Sequence, residues 1–194
     1  DIDGDGSDDM IHHEGSTARV YRSNGNGTFL SPKLTNLNSA IGQMQAADVN
    51  RDGAADLLHF NLGTVDWYIS KKDGQFESRK STTLYSLSNN VYFADANRDG
   101  HPDIIQKDGV MLYVYLYAVN LSSFQSYTQR KETELYGLGD MTSLADVNGD
   151  GLADVIEYFR SFGAVQTYLS LGNGYFGKHN ETALGNFGDS IHTA

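Results

Sequence analysis

Asp146–Glu157 reads DVNGDGLADVIE and sets oxygen-bearing side chains at positions 1, 3, 5 and 9 around a glycine at position 6. The same pattern opens three other stretches: DIDGDGSDD from Asp1, DVNRDGAAD from Asp48 and DANRDGHPD from Asp95. The starts at residues 1, 48, 95 and 146 are 47, 47 and 51 residues apart, and the last copy spans the 49 residues to the C-terminus. An acidic nonapeptide could recur by chance in an acidic chain, so the period needs support from other residue types. Aromatic residues supply it. A Tyr falls 20 residues after the first three starts, at Tyr21, Tyr68 and Tyr115, and 22 after the fourth, at Tyr168. A Phe follows at Phe29, Phe76, Phe124 and Phe176, and a Leu opens the last segment of each copy at Leu37, Leu84, Leu135 and Leu184. The chain is one unit repeated four times, 1–47, 48–94, 95–145 and 146–194, with no residue left for a second domain.

Within each unit the apolar pattern is that of strands. Short apolar runs such as DLLHF, DIIQ and DVIEYF follow the acidic loop, and alternating segments such as VDWYIS, LYVYLY and VQTYLS come next. Glycine turns in SNGNGTF, KKDGQF and LGNGYF lead to a polar third strand, and a fourth, as in IGQMQAA, VYFA or MTSLA, runs into the next loop. Nothing carries a convincing 3.6-residue apolar stripe. Four short strands recurring every 45 to 50 residues predict an all-β fold, a β-propeller whose four-stranded blades bury their faces on one another.

The loops carry the chemistry. In a tight coil, residues 1, 3 and 5 converge, the glycine at 6 permits the reversal, the carbonyl of residue 7 completes the near side and residue 9 closes the shell. The candidate ligands are Asp1, Asp3, Asp5, Ser7 and Asp9; Asp48, Asn50, Asp52, Ala54 and Asp56; Asp95, Asn97, Asp99, His101 and Asp103; Asp146, Asn148, Asp150, Leu152 and Asp154. Ser7, Ala54, His101 and Leu152 enter through their carbonyls. Hard oxygen donors in a flexible ring select Ca²⁺ over Mg²⁺ and over zinc, so up to four Ca²⁺, one per loop, are expected. The alternative is a set of Asx turns whose side chains cap their own backbone. An EF-hand is excluded because it needs flanking helices and a Glu at position 12, where this chain has His12, His59, Gln106 and Glu157. Glu157 is read instead as beginning a strand. Holding one strand to the next, the sites are read as structural rather than signalling.

Charge agrees. The net charge is -11, and thirteen of the 25 carboxylates lie in the four ligand sets, where repulsion opposes folding without a counter-ion. That charge argues against a nucleic-acid partner or an anionic membrane surface, and no apolar run is long enough to span a bilayer. With no cysteine the chain has neither disulfides nor thiolate chemistry.

These in-phase loops, between strands of a roughly 48-residue unit, resemble the FG-GAP and VCBS repeats of integrin-α-like β-propellers. The resemblance covers the whole chain and implies calcium held in loops on one face of a secreted or cell-surface protein, where sites of about 10⁻⁴ to 10⁻³ M suffice. It also implies seven or eight blades, so the chain is expected to be part of a larger propeller, or one of two chains that complete one. The alternative is a closed four-bladed ring in which the C-terminal segment NFGDSIHTA completes the first blade. The Gly-Ala-Pro element of the family is absent, and Phe-Gly occurs irregularly at Phe162-Gly163, Phe176-Gly177 and Phe187-Gly188, so ligand residues of integrins do not carry over.

No catalytic constellation stands out. His12, His13, His59, His101, His179 and His192 have no evident partners, and Gly188-Asp189-Ser190 lacks the context of a serine nucleophile. Trp67 and the Tyr series could stack on sugars, although their regular placement favours core packing. Sequons at Asn26, Asn120 and Asn180 predict surface turns. The expected function is a non-catalytic, carbohydrate- or protein-binding module of lectin or adhesin type. The alternative is an accessory scaffold of a larger secreted enzyme or toxin.

Overall fold

The computed structural model describes residues 1–14, 17–37, 43–61, 63–84, 88, 90–117, 127–137 and 139–184. Phe124, Asn120, Phe187-Gly188, Gly188-Asp189-Ser190, His192 and the C-terminal segment lie outside these residues. The described structure is all-β, in four antiparallel sheets. The first sheet has β1 (Met10–Glu14), β2 (Thr17–Tyr21) and β3 (Lys33–Leu34). The second has β4 (Gln43–Ala47), β5 (Asp56–Asn61), β6 (Thr64–Tyr68) and β7 (Lys80–Thr83). The third has β8 (Val91–Ala94), β9 (Asp103–Asp108), β10 (Met111–Tyr117) and β11 (Tyr127–Glu134). The fourth has β12 (Met141–Ala145), β13 (Asp154–Phe159), β14 (Ala164–Ser170) and β15 (Phe176–Ala183).

Each sheet is a meander in sequence order. The expected four strands are present in three sheets, and the first has three, because no strand pairs with the other edge of β1 among the described residues. Each strand that precedes an acidic loop pairs with the strand after it, Ala47 opposite Asp56, Ala94 opposite Asp103 and Ala145 opposite Asp154, so the loop is a hairpin connection inside one sheet. Glu157 does not begin a strand: β13 starts three residues earlier, at Asp154, because the ninth loop residue is already in the ladder.

The chain divides into two compact units, Asp1–Asn89 and Asn90–Ala194, each holding two sheets. In the first, Ile2, Ala18, Val20, Leu37, Leu57, Tyr68 and Phe76 form one buried cluster drawn from both of its sheets. In the second, Ala96, Ile105, Leu112, Val114, Leu135, Val155, Tyr168 and Phe176 do the same. The strand after the fourth loop, β13, is covered on both faces, with every residue buried, whereas β1, after the first loop, alternates exposed and half-buried residues. At roughly 1.5–3 kcal/mol for each fully buried large side chain, these clusters supply the main drive to fold. Tyr68, Tyr115, Tyr168 and Trp67 are all buried, which gives them to the core rather than to a sugar surface.

The glycine turns form as read. Asn24, Lys71 and Leu171 donate their N–H groups to the carbonyls of Thr28, Gln75 and Tyr175, each at 2.9 Å. Asn26 and Asn180, the described sequon residues, are exposed, but only Asn26 lies in a turn; Asn180 is within β15, paired with Thr167.

Candidate metal loops

The four loops repeat one hydrogen-bond pattern. At position 1, an oxygen of Asp1, Asp48, Asp95 and Asp146 accepts the N–H of the glycine at position 6, at 2.8, 2.9, 2.7 and 2.8 Å. Those glycines have φ of 89°, 87°, 81° and 85°, a region that an L side chain enters only with strain. At position 5, Asp5, Asp52, Asp99 and Asp150 accept the N–H of Ser7, Ala54, His101 and Leu152 at 2.8 to 2.9 Å. At position 3, Asp3, Asn50, Asn97 and Asn148 accept the N–H of residue 5 at 2.9 to 3.2 Å. These bonds wind all four loops alike, but in the first loop Asp5, expected as a ligand, is not among the carboxylates that converge, which are those of Asp1, Asp3 and Asp9. The ring of His101 stacks on Tyr117, with centroids 4.8 Å apart.

Position 9 does more than close the ligand shell. Asp9 accepts the N–H of Ile2 on one oxygen and of Ser23 on the other, both at 2.8 Å. Asp56 binds Val49 (3.0 Å) and Ser70 (2.8 Å), Asp103 binds Ala96 (2.9 Å) and Tyr117 (2.7 Å), and Asp154 binds Val147 (3.0 Å) and Ser170 (2.8 Å). One carboxylate thus ties the start of the loop to the end of the second strand. Asp56, Asp103 and Asp154 are fully buried. Burial, aided by the charges of Asp52 and Asp48, pushes the Asp56 carboxyl up to about 7. Burial likewise raises Asp103 to about 7, with Asp99 and Asp95 adding to it. At the loop surface the opposite holds: the N–H of Gly151, joined by those of Gly149, Asp150 and Asn148, keeps Asp146 below the usual carboxylate range.

Position 4 was also missed. It takes a positive φ in all four loops, 76° at Gly4, 60° at Arg51, 65° at Arg98 and 76° at Gly149. The glycines of the first and last loops were the available signal, and the arginines hid it.

Carboxylate oxygens of Asp1, Asp3 and Asp9 lie within 4.8 Å of one another, and no other such group of three acidic residues occurs among the described residues. Oxygens at 2.3–2.6 Å from one calcium ion are at most about 5 Å apart, so this set fits a shared Ca²⁺. In the other loops Asn replaces Asp at position 3, and its amide donates to the position-5 carboxylate: Asn50 to Asp52 at 3.0 Å, Asn97 to Asp99 at 2.9 Å and Asn148 to Asp150 at 3.2 Å. Their donors are still oxygen throughout, the chemistry of a hard cation.

Glu157, at position 12 of the fourth pattern, turns away from the loop. It is buried in β13, where it accepts hydrogen bonds from Lys107 (2.5 Å), Thr142 (2.6 Å) and the Gly139 N–H (3.1 Å). It is a core ion pair joining the two sheets of the second unit.

No curated protein sequence matches the chain. Among solved structures, the fold is similar to that of a lectin from Agrocybe aegerita described as specifically recognising non-reducing terminal N-acetylglucosamine. That similarity has a TM-score of 0.71 and 20% identity, over 91% of this chain and 50% of the lectin chain. It is also similar to part of the Photorhabdus luminescens Tc holotoxin pore, with a TM-score of 0.58 and 18% identity, over 94% of this chain and 9% of that one. The chain thus spans half the length of the lectin and a small part of the toxin. The FG-GAP-like repeat family matches residues 1–59 and 48–105, more than half of the sequence and the segments that hold the first three loops. With the loop geometry recurring in the fourth copy as well, the chain belongs to the FG-GAP-like repeat family.

Proposed function

We propose that this chain is a non-catalytic β-propeller module, held by calcium, that binds carbohydrate outside the cell. The observation that carries the calcium part is the convergence of Asp1, Asp3 and Asp9 within 4.8 Å in a loop whose backbone is repeated three more times. Residues 1, 3, 5 and 9 and the carbonyl of residue 7 would hold each ion, which supplies only charge and rigidity. The chain itself winds each loop, orients its carboxylates and ties it through position 9 to the second strand. Loops of this oxygen chemistry suit the millimolar calcium of a secreted or cell-surface setting.

The propeller and carbohydrate parts are supported by the lectin similarity over 91% of the chain. The acidic surface disfavours nucleic acid and sulfated or phosphorylated polymers and leaves neutral glycans as the fitting class. A glycan array probed in calcium and again in excess chelator tests the reading: binding that is lost with chelator is expected, and no binding in either condition would refute it. The second reading, a scaffold segment of a larger secreted toxin or enzyme, is favoured by the toxin similarity and predicts an array without signal but an unchanged dependence of folding on calcium.

A further inference from the structure

The repeat is broken at the hairpin that follows the fourth loop. The first two strands after each loop are separated by two residues in three sheets, between Glu14 and Thr17, Asn61 and Thr64, and Asp108 and Met111. In the fourth they are separated by four, between Phe159 and Ala164. That insertion is why Tyr168 falls 22 residues after its loop start while its counterparts fall 20 after theirs. A propeller gains nothing in stability from two extra residues at a hairpin tip, and the tip carries Phe162, whose surface is 78% exposed.

Phe162 is not isolated. It lines a cleft of about 490 Å³ with Tyr136, Asp140, Phe159, Gln166 and Glu181. Tyr136 is itself 75% exposed. Two such exposed aromatic rings on one cleft are unusual where the other described tyrosines are mostly buried. The cleft is also built from beneath. The Tyr136 N–H donates to the Tyr168 hydroxyl (2.8 Å), that hydroxyl donates to the Gln166 side-chain carbonyl (3.1 Å), and the Gln166 amide donates to Glu181 (3.1 Å). Gln166 is buried, so this relay fixes the backbone of one aromatic and the carboxylate of one acid at the same time. On the other side Asp140 accepts the N–H of Arg160 at 2.6 Å, anchoring the inserted hairpin to the strand entry. Gly139 lets that strand entry approach closely: a Cβ there would come within 2.2 Å of Glu157.

We propose that this cleft is a saccharide-binding site for a neutral pyranose, with Tyr136 and Phe162 stacking on its C–H face. Asp140 and Glu181 accept hydrogen bonds from its hydroxyls. The assignment rests on the carbohydrate reading above and locates it. An aromatic platform beside fixed acceptors matches a pyranose, which has one apolar face and a rim of hydroxyl donors. Two carboxylates on the rim repel an acidic sugar, so sialylated glycans are excluded.

The test uses the full chain in calcium on an array of neutral and sialylated glycans, together with Tyr136→Ala/Phe162→Ala, Glu181→Gln and Tyr175→Ala. Tyr175 is a partly exposed aromatic outside the cleft. The expected result is binding to neutral glycans only, a loss of at least tenfold in the double variant, a smaller loss in Glu181→Gln, and no change in Tyr175→Ala. Melting temperatures should stay close to that of the parent chain, since both rings are largely exposed and their ring contacts are to His179 for Tyr136 and to Phe159 for Phe162. A double variant that binds as the parent does would overturn the site while leaving the carbohydrate reading intact. A loss in Tyr175→Ala equal to that in the double variant would also overturn it. No glycan bound by the parent chain would overturn both.

Discussion

The first acidic loop and the three that follow have the same backbone and balance their charge by different means. The first has carboxylates at positions 1, 3, 5 and 9, and Asp3, whose side chain is 9% exposed, is met by the more exposed Arg22 at 3.1 Å. The others have an Asn at position 3 that donates to their own position-5 carboxylate. Lys72 adds a contact to Asp52 at 3.4 Å, and Arg98 adds one to Asp150 at 3.2 Å. The position-9 carboxylate is half-buried in the first loop and fully buried in the others, where a flanking strand covers it. The later loops are therefore partly satisfied by the chain itself, whereas the first presents three converging carboxylates that a cation must offset. Sites made from one motif can differ in how far they depend on their ion.

Removing calcium has the largest expected effect. At 100-fold over its dissociation constant each ion contributes about 2.7 kcal/mol, so chelation should lower the melting temperature by about 10 °C or more. Next comes the buried position: Asp154→Ala or Asp103→Ala strips two buried N–H groups of their acceptor and should cost roughly 2–5 kcal/mol in denaturant unfolding. Asp9→Ala, at the half-buried site, should cost less, and equal losses would remove the distinction between the loops. Asp3→Asn, which converts the first loop to the pattern of the others, should weaken its calcium binding about tenfold and slightly stabilise the calcium-free protein, as chelator titration and melting would show.

The pH dependence follows from Asp56 and Asp103. Both have folded-state values raised to about 7 from 3.8, so the native state holds their protons more tightly than the unfolded state. Their stability contribution in the calcium-free protein is fully present below pH 4 and is lost as pH rises through 7. Melts without calcium should accordingly show a higher midpoint at pH 5 than at pH 8, and calcium should reduce that difference. The smallest effect is at position 4: Arg51→Gly relieves a positive φ and should raise stability by up to about 1 kcal/mol in denaturant unfolding.

Much of this was legible in the sequence. The period, the strands and the glycine turns follow from local chemistry, since a loop that needs positive φ and a strand that needs alternation write themselves into adjacent residues. Glu157 shows the limit. Its place at position 12 imitates a ligand, and only the tertiary structure reveals Lys107, 50 residues earlier, as its partner. The dual role of position 9 was equally hidden, because its second bond spans 14 to 16 residues, to Ser23, Ser70, Tyr117 and Ser170. The cleft around Tyr136 and Phe162 was visible only as an irregularity, the spacing of 22 where 20 was the rule. A period read for its regularity directs attention away from the residues that break it.

If these loops hold calcium, the first, with its three converging carboxylates, depends on it most. Isothermal titration of calcium into the chelator-stripped chain, repeated with Asp3→Asn, tests it most directly. Saturable binding by the parent chain is expected, with the loss or weakening of one class of site in the variant. A titration without binding heat, with a melting temperature unchanged by calcium, would contradict it.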